Sequence, residues 1–202
     1  IVRCMICRVS TQSFNKLFAS MITAGIQTAT DLKDFLISRN TDVKMPSDIE
    51  VKDNFSCVRK THYIPKGILY LLELAIRNSD RQNTKLLSIK NYDLEHIMPQ
   101  NWEKHWPLPQ SEDKTQEELE EERNKKVASI GNMTILKNGL NKSLKNVSWE
   151  SKKNGKNQDG LIKDAAGLET FSQFIELSEW TEQTIDERTE FLLSQVFKVW
   201  GI

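Results

Sequence analysis

Residues 92–100, YDLEHIMPQ, place a carboxylate, Glu95, directly before an imidazole, His96, among apolar neighbours and with Pro99 just beyond. His96 is one of only three histidines in the chain, so its position beside an acid invites a chemical reading. Downstream, in IGNMTILKNGLN, Asn132 follows Gly131 and Asn141 comes nine residues later. A hard divalent cation prefers oxygen ligands; a carboxylate and an amide carbonyl supply two, and water and phosphate fill the rest. A neutral imidazole nearby can take a proton from a cation-adjacent water, because its unperturbed pKa lies near neutral pH. The cation in turn stabilises charge on a phosphorane and on its leaving oxygen. Taken alone, Glu95-His96 reads equally well as a buried polar pair; Asn132 and Asn141 are what give it partners.

These residues need elements to hold them. KLLSIKNYDLEHIMP has no sustained helical period and ends on Pro99, which predicts strand structure leading to the Glu-His pair. Thr134, Ile135 and Leu136 predict a second strand before the Asn138-Gly139 turn signal. A helix is expected from near Asn141 to Lys153, its first amides aimed at an incoming phosphate. Trp102, Trp106, Pro107 and Pro109 mark 100–114 as an ordered loop. Thr115 and Glu118 form a capping box that opens a charged helix over 115–127.

On the N-terminal side, Phe14, Leu17, Phe18, Met21 and Ile22 repeat at helical spacing, and a second helix is expected at 29–39, capped by Thr30 and turning Leu32, Phe35 and Leu36 inward. Ser47 and Glu50 signal a third short helix, and PKGILYLLELAIRN (65–78) is apolar almost all round, as a central helix would be. The last segment, TEQTIDERTEFLLSQVFKVW, is a long amphipathic helix with Ile185, Leu192, Val196 and Trp200 on one stripe. The fold class is therefore mainly α with a small inserted β element. The divisions are 1–83, helical; 84–158, the core that carries the motif; and 159–202, a C-terminal helical segment packed on that core.

Composition narrows the classes. A chain of 202 residues with 38% hydrophobic and 28% charged residues can bury a sizeable core, and no apolar run approaches a membrane span. The N-terminus, IVRCMICRVS, begins without Met and reads as an entry in mid-element, from a longer protein. Three cysteines suit an intracellular, cytoplasmic protein. Cys4, Cys7 and Cys57 with His62 form a zinc set on paper, while the spacing in VRCMICRV fits equally the apolar face of a helix.

The zero net charge argues against coating DNA by bulk electrostatics. The charge is polarised, however. Seven acids against two bases occupy 112–123, and seven lysines against two acids occupy 137–163. The basic half follows the Glu-His motif, where it reads as a phosphate-binding surface or as a solvated helix face.

The two motifs together resemble the HNH, or ββα-metal, nucleases: YDLEHIMPQ matches their D-x-[DE]-H-I-x-P-Q segment, and the step from Asn132 to Asn141 fits their two asparagines. The wider pattern, E-H-I-x-P-Q, then I-G-N-x-T-x-L, then Trp180, Ile185 and Arg188, is most similar to the C-terminal nuclease domain of GmrSD-type, modification-dependent type IV restriction enzymes. The likeness spans 60–202 and is strongest over 92–149.

It implies a ββα-metal (His-Me finger) HNH core flanked by helices, acting as a DNA endonuclease with one Mg2+ or Mn2+ ion. It makes His96 the general base and Glu95 with Asn141 the metal ligands, while Asn132 holds the His96 loop. It also implies a DNA partner, modified phage DNA included, and control by an upstream ParB-like nucleotide-binding domain or subunit. The alternative is a DNA-binding or partner-docking module, inactive without that domain. Glu at 95 and Asn at 141 replace the Asp and His of many HNH domains, and both keep oxygen donors.

Lys142, Lys145 and Lys152 are assigned to DNA contact, against an ordinary solvated role for each. Asp93 shares the strand face of Glu95 as an auxiliary ligand or a turn residue. His105, Trp102 and Trp106 are candidates for substrate contact in the loop after the motif; Trp149, Trp180 and Trp200 read as core.

Overall fold

A computed structural model describes residues 1–10, 12–39, 44–57, 63–79, 85–139, 146–155 and 160–201. Among them, helices α1 (Val2–Ile6), α2 (Phe14–Thr23), α3 (Ala29–Ser38), α4 (Asp48–Phe55) and α5 (Tyr63–Ser79) precede strand β1 (Tyr92–His96). Helix α6 (Gln116–Val127) leads to strand β2 (Met133–Lys137), and α7 (Trp149–Asn154), α8 (Leu161–Ala165), α9 (Ser172–Ile175) and α10 (Glu182–Trp200) complete the order. No helix of the described residues is long and apolar enough to cross a membrane.

β1 and β2 pair antiparallel, with Glu95 opposite Thr134 and His96 opposite Met133. The sequence between them is a long excursion rather than a tight hairpin, so the ribbon is held by what covers it. β2 is buried at Met133, Thr134, Ile135 and Leu136, with no inside-outside alternation, because α5 and α8 both pack against it. α5 also reaches β1 and α10, and buries Ile68, Leu69, Leu72 and Ile76.

Several local signals act as their chemistry dictates. Ser47 with Glu50 and Thr115 with Glu118 make reciprocal capping boxes at α4 and α6, and Thr181 caps α10 by accepting from the Thr184 amide. Three expectations need correction. α3 is capped by Thr28 with Asp31, not by Thr30, and none of its residues is buried; Leu32, Phe35 and Leu36 are only half-covered. Of the helix expected from Asn141 to Lys153, residues 141–145 lie outside the described residues, 146–148 are non-helical backbone, and α7 starts at Trp149 with Ser148 as cap. Trp102 and Trp106 are buried, their indoles donating to Asn124 Oδ1 and to the Val147 carbonyl, each at 3.0 Å. Neither ring is available for base stacking.

A buried charge network ties the covering helices to the ribbon. Glu73 of α5 accepts from Arg77 Nε at 2.6 Å and from the Glu169 and Thr170 amides at 3.0 and 2.9 Å. Arg188 of α10, fully buried, donates from Nη1 to the Gly131 and Met133 carbonyls at 2.6 and 2.7 Å, and from Nε to the Thr170 carbonyl at 3.2 Å. Burial pushes the Arg188 guanidinium down to about 9, which leaves it charged at neutral pH.

Candidate active site

Asn132 ends a short 3-10 turn, Ile130–Asn132, immediately before β2. Its side chain is buried and fully used. Oδ1 accepts from the Met98 amide at 2.8 Å and from Trp180 Nε1 at 3.1 Å, while Nδ2 donates to the Met98 carbonyl at 2.8 Å and the Val127 carbonyl at 3.0 Å. The Asn132 carbonyl accepts from the Ile97 amide at 2.9 Å.

The same stretch is gripped from the other side by Lys152 of α7. Its Nζ donates to the His96 carbonyl at 2.5 Å and the Ile97 carbonyl at 3.0 Å, and lies 2.6 Å from Glu95 Oε1. Every backbone polar group from the His96 carbonyl to the Met98 carbonyl is thus bonded to Asn132 or Lys152. Such a fully satisfied buried network fixes one geometry, because leaving any member unpaired costs its desolvation. The segment that carries His96 is held rigidly at the end of β1.

α7 is placed to do this by its own anchors. Trp149 Nε1 donates to the Leu177 carbonyl at 3.0 Å, and its ring lies 5.4 Å from that of Trp180, which in turn bonds Asn132. Lys152 follows Trp149 by three residues and so shares its inward face.

Lys152 is therefore not a surface contact for phosphate. It is fully buried, and its ammonium is spent on the motif itself. Burial pushes this ammonium down and the Glu95 carboxylate opposes the shift.

Glu95 and His96 line a cleft of about 290 Å³ with Leu94, Pro99, Gln100, Asn101 and Asn146. Asn146 was not singled out by the sequence, because it fell inside the expected helix. Its backbone is left-handed, φ 51°, a conformation in which asparagine is several-fold enriched. Ser148, three residues before Ser151, carried the signal that the helix starts later.

Asn141, Lys142 and Lys145 lie outside the described residues, as does His62. His105 is exposed and belongs to a different cavity, with Met98, Trp106 and Arg123. Asp93 is half-buried and stands opposite Leu136. Cys4 is buried in α1, Cys7 is half-buried just after it, and Cys57 is exposed; burial raises the Cys4 and Cys7 thiols, which keeps them protonated. Among the described residues, no three His, Cys, Asp or Glu side chains gather into a metal-holding group.

The class that fold and site define is a helical domain wrapped round a two-stranded ribbon, with a Glu-His pair presented from its rigid end into a polar cleft. The family model for the C-terminal domain of GmrSD restriction endonucleases matches residues 45–195. The chain belongs to that family, and is a restriction-endonuclease domain. A comparison with curated proteins gives no match.

Proposed function

We propose that this domain is an HNH-type DNA endonuclease that hydrolyses phosphodiester bonds with one divalent cation, Mg2+ or Mn2+, as the effector of a phage-defence restriction protein. The observation that carries this reading is the immobilised His96–Met98 backbone beside a cleft that holds one carboxylate, one imidazole and several side-chain amides. These donors suit a hard cation, which takes oxygen ligands and keeps waters of its own.

Glu95 and Asn141 would hold the ion, and Asn146 offers a further amide oxygen from the same cleft. The ion, when bound, supplies charge stabilisation at the scissile phosphate. His96 removes the proton from the attacking water, and the preorganised backbone keeps its ring from drifting. Asn132 acts through Met98 as a positioning residue. Lys142 and Lys145 remain the lysines proposed to meet the DNA backbone. An upstream ParB-like nucleotide-binding domain or subunit is the proposed controller.

The test uses plasmid DNA with Mg2+ or Mn2+, set against EDTA and against His96→Ala. Cleavage that needs the cation and is lost in the variant is expected. Undiminished cleavage by His96→Ala would refute the assignment of the base.

A further inference from the structure

Lys152 sits in a place that packing alone does not explain. A lysine on a six-residue helix is normally solvated, yet this one is completely buried and all three of its oxygen partners belong to residues 95–97. Two of them are the backbone carbonyls of His96 and Ile97; the third is the carboxylate oxygen Oε1 of Glu95.

We propose that Lys152 is a positioning residue and the resident counter-charge of Glu95, so that any divalent cation in the cleft binds a carboxylate that Lys152 has already partly neutralised. This rests on the reading of Glu95 as a cation ligand. The two roles have opposite consequences when the ammonium is removed. The carboxylate, relieved of the Lys152 ammonium, attracts a dication more strongly, because one positive charge fewer stands beside it to repel the ion. The His96 and Ile97 carbonyls, left without their donor, no longer fix the imidazole. Metal binding should tighten while turnover falls, a combination that loss of packing does not produce.

The experiment measures Mn2+ affinity of the full 202-residue chain by water-proton relaxation, together with plasmid-cleavage kinetics. Lys152→Met is expected to bind Mn2+ about tenfold more tightly, and its kcat to drop about tenfold or more with KM for DNA little changed. Lys152→Arg, which retains the charge, should keep the wild-type Mn2+ affinity. The tightening should vanish when Glu95→Gln is added to Lys152→Met.

If Lys152→Met does not fold, Lys152→Gln keeps a donor for the carbonyls without the charge, and should tighten Mn2+ binding in the same way. The wild type provides a check free of any neutralising variant. Its Lys152 Nζ resonance, assigned by its absence in Lys152→Arg, should move during a Mg2+ titration and saturate with Mg2+ binding. An unchanged or weaker Mn2+ affinity in the folded neutral variants, or a resonance that does not move, overturns the proposal. If Glu95→Gln alone leaves Mn2+ binding intact, the ligand reading itself fails; if it abolishes binding while Lys152→Met changes nothing, only the role of Lys152 does.

Discussion

Replacing Asn132 with alanine removes four hydrogen bonds at once. The groups left behind are the Met98 amide, the Met98 and Val127 carbonyls and the Trp180 indole N–H, all in the interior. Each unsatisfied buried group costs about 1–3 kcal/mol, and a water entering the vacated space recovers part of that, so the sum should fall at roughly 4–6 kcal/mol. That is a large share of the ~5–15 kcal/mol that holds a domain folded. Asn132→Asp sharpens the test. The oxygen replacing Nδ2 faces the Met98 and Val127 carbonyls and can satisfy one of them only when protonated. The folded state then raises the aspartate pKa, so stability is retained below the unfolded value near ~3.9 and falls as pH rises toward neutrality. Urea titrations followed by tryptophan fluorescence at pH 4 and pH 7 give both numbers. A loss under about 1 kcal/mol for Asn132→Ala, or an Asp variant as stable as the wild type at pH 7, would show that Asn132 does not carry the segment in the way its contacts require.

Two further outcomes follow from the packing. A Cβ at Gly131 would collide with Thr189 Oγ1 and the Ile185 carbonyl of α10, so Gly131→Ala should cost about 2–3 kcal/mol by displacing the helix, seen as a lowered thermal midpoint. Hydrogen bonds from Ser47 hold the Glu50 carboxyl down to about 2 from its ordinary 4.5; its contribution is therefore present above pH 4.5 and lost as pH falls toward 2. The melting-temperature gap between wild type and Glu50→Gln should close over that range, and because Glu50 is exposed the gap amounts to no more than about 1 kcal/mol.

The local rules of the chain were legible in the sequence wherever a side chain acts on its own neighbours. The capping boxes at Ser47 and Thr115 and the strand around Thr134 follow from spacing alone. Long-range partnerships were not. Lys152 and Lys153 look alike in a basic run, and only the inward face set by Trp149 distinguishes the lysine that enters the core. Trp102 and Trp106 resemble solvent-facing loop aromatics until Asn124 and Val147 provide acceptors for their indoles. The spaced Trp180, Ile185 and Arg188 of the family-like pattern also gain a physical meaning: the first bonds Asn132, the second packs its backbone on Gly131, and the third holds the carbonyls on either side of Asn132.

The clamp around residues 96–98 also constrains when the cleft can exist during folding. Its bonds join His96 to Lys152 and Met98 to Asn132, and Arg188 holds the Gly131 and Met133 carbonyls on either side of Asn132, so the loops to be closed are each more than thirty residues long. Closure of such loops is slow relative to formation of the isolated helices. A nascent chain that has emerged only as far as β2 has the Glu-His pair but neither Lys152 nor α10 to order it. The geometry at His96 is thus acquired late, after nearly all of the chain is available to fold.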